Sequence, residues 1–171
     1  MSNEENLLRY METMAGSFPA GRVQKGWSYE NMYDFLLKEG RLFKVSGYDL
    51  EASGLNAPKQ CFRNAALVAM DFGHRYVEGI AWKSDVCLPL HHAWNSRNGE
   101  AFDVTWDGNV VYFGVEFPNW YVRMTLLSTS EFGMIDKWKD EWPLLTGKHA
   151  WPLNQSDFEN VQYNWRSEHI V

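Results

Sequence analysis

The stretch Lys59-Gln60-Cys61-Phe62-Arg63-Asn64-Ala65-Ala66-Leu67-Val68-Ala69-Met70 decides how the rest of the chain is read. Its alanines suit a helix that packs closely against its neighbours. The turn residues ahead of it, Ser53-Gly54-Leu55-Asn56-Ala57-Pro58, place the helix start just before Cys61. After Gly73 the pattern changes: Tyr76, Val77, Ile80, Ala81 and Trp82 form a β-prone run, followed by a loop containing Pro89. Three more β-like segments, 91–96, 101–106 and 110–117, are joined by Asn98-Gly99 and Asp107-Gly108, dipeptides that favour tight hairpins. A helix leading into an antiparallel meander predicts an α+β fold.

Towards the N-terminus, Leu7, Leu8, Met11 and Met14 recur at helical spacing before the break Gly16-Ser17-Phe18-Pro19-Ala20-Gly21. Tyr29, Met32, Tyr33, Leu36 and Leu37 repeat the pattern up to Gly40, so two amphipathic helices are expected there. Beyond Pro118, helical stretches are expected over 131–142 and 156–165. No internal repeat or low-complexity segment interrupts the chain. At 171 residues the length fits one domain. Its expected parts are a helical one over about 1–55, a core over about 56–118 and a C-terminal extension over about 119–171.

Hydrophobic residues make up 45% of the chain and aromatics 16%, with nine Trp and ten Phe, which is ample material for a packed core and excludes disorder as the main state. The formal charge is −6, from 16 Lys+Arg against 22 Asp+Glu, and the basic residues are scattered, which argues against nucleic acid as a partner. No apolar run approaches the roughly 18 residues that span a bilayer. The acidic start Met1-Ser2-Asn3-Glu4-Glu5 is unlike a signal peptide. A cytoplasmic protein without membrane contact is the expectation. In that reducing setting Cys61 and Cys87 are read as free thiols.

A thiol at a helix start, a histidine on a later strand and a carboxylate on the strand after it form a chemically suggestive order. Cys61, His92 and Asp103 fill those places. Unpaired N–H groups and the helix dipole favour a thiolate at a helix N-terminus. An imidazole can carry the proton to a leaving group, while a carboxylate orients the ring. If the Asn98-Gly99 turn is a two-residue hairpin, partner positions sum to about 197, which makes Asp103 a diagonal neighbour of His92 on the same face.

Gln60-Cys61-Phe62, then His92-Ala93-Trp94-Asn95, then Gly99-Glu100-Ala101-Phe102-Asp103-Val104-Thr105-Trp106, in this order, resemble the transglutaminase-like branch of the papain-like cysteine enzymes. The resemblance covers roughly residues 58–106, with Phe62 standing where that family usually carries Trp. It implies a papain/transglutaminase-like fold, with the nucleophile helix packed on an antiparallel sheet. It also implies attack by Cys61 on an amide or ester carbonyl of a protein or peptide substrate, followed by resolution of the thioester. The oxyanion would be met by the Cys61 N–H, with the side chain of Gln60 or Asn56 as a second donor. Hydrolysis by a peptidase, amidase or deamidase is the leading expectation. Transfer to an amine, as in a transglutaminase or acyltransferase, and a binding or inhibitory module with a vestigial triad are the alternatives.

The remaining residues receive plainer readings. His91 neighbours His92, but adjacent strand residues face opposite sides, so only one can meet Cys61; the resemblance selects His92 and leaves His91 solvent-facing or structural. Asp103 has a competing reading as a hairpin residue that bonds local backbone. Cys87 lies four residues before His91, but the paired ligand motifs of zinc sites are lacking, so neither a metal nor any other cofactor is expected. Trp82, Trp94 and Trp106 are expected to form one aromatic core layer. His74 and His149 are read as ordinary surface or loop residues.

Overall fold

A computed structural model describes residues 2–17, 26–48 and 54–158. The first helix, α1 (Asn3–Gly16), opens with a capping box in which Ser2 and Glu5 satisfy each other's backbone N–H. The second, α2 (Met32–Glu39), starts three residues later than the apolar pattern from Tyr29 suggests. Its start is set by Asn31, whose side chain accepts the Tyr33 and Asp34 N–H groups. The helix α3 (Cys61–Phe72) begins at the expected residue and stops at Gly73, whose φ of 71° is the left-handed conformation that ends helices.

The strands are β1 (Arg41–Phe43), β2 (Arg75–Lys83), β3 (Leu88–Arg97), β4 (Glu100–Phe102) and β5 (Val110–Phe117), followed by α4 (Asn119–Thr129). They form one antiparallel sheet in the order β1-β5-β2-β3-β4. The Asn98-Gly99 turn closes a two-residue hairpin in the expected register, with Asn95 opposite Phe102. The Asp107-Gly108 turn does not close one. The expected meander fails there: residues 103–109 cross the sheet, and β5 pairs with β2 instead of β4. Crossing the sheet lets Phe113, Val115 and Phe117 join the main core beside β2. The strand expected over 101–106 accordingly ends at Phe102.

The short strand β1 extends the sheet beyond β5, and the chain directly after it reaches the opposite end. Ser46 N–H donates to Ala101 O at 2.6 Å, and Ala101 N–H donates to Lys44 O at 2.8 Å. The sheet is therefore curled, with its two ends brought together through residues 44–46. Alternation along the strands sorts side chains to the two faces. Phe43, Val77, Ala81, Trp94, Ala101, Val110 and Tyr112 cluster on the inner face of the curl. Tyr76, Ile80, Ala93, Phe113, Val115 and Phe117 point outward and pack with Leu7, Met11, Phe35, Leu36, Ala65, Ala66, Ala69 and Tyr121 from the helices, and with Met134, Ile135 and Leu144 beyond them.

Other expectations are corrected by this packing. Pro89 lies within β3, opposite Trp82, and the β2–β3 turn falls over 84–87. A proline is tolerated there because β4 covers β3 only at Asn95, Ser96 and Arg97, leaving Pro89 on an edge. The C-terminal helix lies at 119–129, not 131–142. The latter segment is irregular apart from a 3-10 turn at Trp138–Asp140, because the Met134 and Ile135 N–H groups bond to the Glu78 carboxylate instead of to a helix. Of the stretch 156–165, only the residues up to Phe158 are described, and they belong to a 3-10 turn; the break at 18–21 and Ser53 likewise lie outside the described residues. Trp94 and Trp106 share the inner layer, whereas Trp82 packs on the outer one. His74 contacts Tyr48 and Phe102, and His149 pairs with the Tyr121 hydroxyl at 3.0 Å, so both belong to aromatic clusters.

Two glycines face each other across β2 and β5, Gly79 and Gly114. A Cβ on Gly114 would lie 2.6 Å from both the Glu78 carbonyl and the Trp94 ring. The indole thus occupies space that only glycine leaves. Gly114→Ala is expected to lower the midpoint of urea unfolding by an amount equivalent to about 1–3 kcal/mol, the usual scale of overpacking. An unchanged midpoint would show that Trp94 moves aside freely.

Candidate active site

The helix α3 delivers Cys61 to the open edge of β3. Asn64, fully buried in the first turns, donates to Ala57 O at 2.8 Å and to Thr105 Oγ1 at 3.0 Å, tying the approach to the helix to the 103–109 crossover. Asn95 of β3 donates to Ala65 O at 2.9 Å, fixing the helix against the strand. These contacts bring the half-buried Cys61 beside Ala93, whose N–H, with that of Phe62, points to the sulfur.

His92 lies on the inner face of β3, 1% exposed, and its ring also hydrogen-bonds the Cys61 thiol. Its Nε2–H donates to Asp103 Oδ2 at 2.6 Å, which leaves Nδ1 for the thiol. The Trp106 indole stacks on the imidazole at 3.7 Å between centroids and 12° between planes. The Asp103 side chain is 3% exposed and fully engaged. Its Oδ2 also accepts the Tyr112 hydroxyl at 3.0 Å, while Oδ1 accepts the N–H groups of Thr105 and Trp106 at 2.7 and 3.2 Å. The two readings of Asp103 therefore coexist. One oxygen shapes the local turn and the other meets the histidine.

Electrostatics follow from this packing. Burial pushes the Cys61 thiol up, but the hydrogen bond and charge of His92, aided by the two N–H groups, outweigh it and hold the thiol below its ordinary range. Burial likewise disfavours a charged His92, yet Asp103 and Cys61 together raise it. Both directions favour a thiolate–imidazolium pair. Burial, together with the neighbouring Asp103 charge, keeps the Tyr112 phenol neutral and able to donate.

No protein-family model, curated protein or solved structure matches this chain.

Of the five residues expected from sequence, Cys61, His92 and Asp103 converge, while Asn56 and Gln60 are exposed beside the helix start. Gln60 makes no capping bond through its side chain. Cys87 stands apart in the β2–β3 turn, exposed, with its Sγ on Ser84 O at 3.3 Å. Among the described residues, no three His, Cys, Asp or Glu side chains converge as metal ligands would.

Sequence reasoning missed Tyr112 and the outer partner of His91. Tyr112 reaches Asp103 only because the crossover lays the turn over β5, and no local signal announces that. His91 Nε2 lies 3.0 Å from Oε1 of Glu78, a fully buried carboxylate on the outer face. Glu78 also accepts the Tyr76 hydroxyl at 2.8 Å and the N–H groups of Met134 and Ile135 at 2.5 and 3.1 Å. Burial alone would raise Glu78, but His91 and the other donors hold it below the ordinary carboxylate range.

Alkylation of Cys61 by iodoacetamide, followed against pH in a Cys87→Ala background, reads the thiolate directly. Reactivity is lost as pH falls through the lowered Cys61 pKa, so the inflection is expected below the ordinary thiol value of about 8.5. His92→Ala removes the main opposition to burial and moves the inflection up, whereas His91→Ala moves it much less. A larger shift from His91→Ala would reverse the assignment of the two rings.

Proposed function

We propose that this chain is a thiol-dependent acyl-transfer enzyme that attacks an amide or ester carbonyl with Cys61 and releases the acyl group to water. The observation that carries the reading is the order thiol, imidazole, carboxylate across three separate elements. The His92–Asp103 bond of 2.6 Å is buried beneath Trp106, and the thiol is held low on the other side of the ring. A purely structural histidine has no need of both partners.

In this reading the Cys61 thiolate adds to the carbonyl carbon, and charge develops on the carbonyl oxygen. The first-turn N–H of Cys61 has no acceptor within the helix and is available to that oxygen. Gln60, exposed next to it, is the side chain best placed to add a second donor, with Asn56 further back along the chain. His92 protonates the leaving amine or alcohol, giving the thioester. Asp103 holds the ring so that this proton sits on the nitrogen facing the sulfur, and stabilises the imidazolium.

The finer fold assignment, papain/transglutaminase-like, belongs to the same proposal. It is supported by a helix start meeting a curled antiparallel sheet at the strand that bears the histidine. A protein or peptide amide is the proposed substrate class and the cytoplasm the proposed location, where thiols stay reduced. Among the described residues, no helix is long and apolar enough to cross a membrane.

Turnover of p-nitrophenyl acetate and of a peptide amide library tests the reading. Cys61→Ala is expected to abolish it with the fold preserved, and Cys87→Ala to retain most of it. Asp103→Ala should lower turnover on the order of a hundredfold or more, the scale of a lost orienting acid, with Asp103→Asn retaining part. Equal losses from both cysteine variants, or near-parental turnover by a folded Asp103→Ala, would overturn the triad.

A further inference from the structure

The outer face of β3 carries a second carboxylate–imidazole pair, in contact with the residue that follows the thiol. Alternation along the strand sends His92 inward and His91 outward, and Cys61 lies against the strand edge at the Ala93 N–H. The Phe62 ring, one residue from the nucleophile, meets the His91 ring edge-on at 4.9 Å. Gly133 lies close to the opposite side of the same pair, since a Cβ there would be 3.8 Å from Glu78 Oε1 and 3.9 Å from the Phe62 ring. His91 is thus held in a wall formed by β2, the start of α3 and the chain around Gly133.

The two imidazoles differ in access to water. His92 is 1% exposed and covered by Trp106, whereas the His91 side chain is 26% exposed. Glu78, by accepting from His91 Nε2, fixes the ring so that Nδ1 is the nitrogen free to accept a proton. Of the two rings near the helix start, His91 is therefore the one that solvent reaches.

We propose that His91, oriented by Glu78, is the general base of the second half-reaction, acting on the water that releases the acyl group from Cys61. The inference rests on the acyl-enzyme reading above. Water adds to the thioester carbonyl carbon and its proton passes to His91 Nδ1. The C–S bond then breaks, the carboxylic acid departs, and Cys61 leaves as a thiolate. His91 returns its proton to solvent and His92, which gave up its own proton in the first half-reaction, takes one up from solvent, which restores the thiolate–imidazolium pair. The first half-reaction continues to use His92, so the two halves depend on different histidines.

The experiment uses p-nitrophenyl acetate with the full chain and His91→Gln, whose amide can still donate to Glu78. The nitrophenolate burst, which reports acylation of Cys61, is expected to keep its rate within twofold. Steady-state turnover should fall tenfold or more, and intact-mass spectra should show acetyl-Cys61 accumulating. Hydroxylamine, a nucleophile that needs no base, should restore release in the variant. Should Gln disturb the near-UV circular dichroism, His91→Asn is the second variant, read in the same way. Deacylation within twofold of the parent overturns the inference and leaves the proposed function standing. Parallel slowing of burst and turnover with a shifted alkylation profile also overturns it, by making His91 a structural support. The absence of any burst in the parent protein overturns the proposed function, and the inference falls with it.

Discussion

The Asp103 carboxylate is the constraint on which the arrangement depends. Its two oxygens accept four donors, from Thr105, Trp106, His92 and Tyr112, which belong to the crossover, β3 and β5. A buried charge without partners costs several kcal/mol, so the crossover can settle only where all of these donors reach it. That requirement fixes the turn at 103–106 over the curl and lays Trp106 on the His92 ring. Trp94 and Tyr112 support the imidazole from beneath, and Trp94 can sit there because Gly114 leaves the space.

Glu78 plays the corresponding part on the outer face. It is fully buried and accepts from Tyr76, His91, Met134 and Ile135, so the chain beyond α4 is drawn onto β2 by backbone N–H groups that a helix would otherwise use. Each face of β3 therefore carries a histidine oriented by a carboxylate, and the thiol lies at the edge where the faces meet. Edge placement is possible because β4 is only three residues long and leaves the Ala93 N–H free for the sulfur. A longer hairpin would satisfy that N–H within the sheet and close the edge to Cys61.

Much of this was legible in the residues because it depends on local chemistry. The alanine-rich run from Cys61 and the Asn98-Gly99 hairpin register depend on neighbours within a few positions, and they appear as read. Strand alternation likewise separates His91 from His92 whatever the rest of the fold does. The illegible parts are those set by long-range pairing. Asp107-Gly108 has the composition of a hairpin, but joining the β2 edge buries Phe113, Val115 and Phe117, and this burial outweighs a local turn preference. The segment 131–142 has helical composition, yet a buried carboxylate takes its N–H groups.

The sequence alone therefore determined the α+β class, the helix that begins at Cys61 and the hairpin that sets Asp103 one residue beyond Phe102, the partner of Asn95, because each follows from spacing and turn chemistry over short distances. Tertiary structure decided the curl of the sheet, the crossover, the Tyr112 and Trp106 contacts with the Asp103–His92 pair, and the pairing of His91 with Glu78. Those features join residues far apart in the chain, and they are selected by where buried charges and apolar side chains can all be satisfied at once.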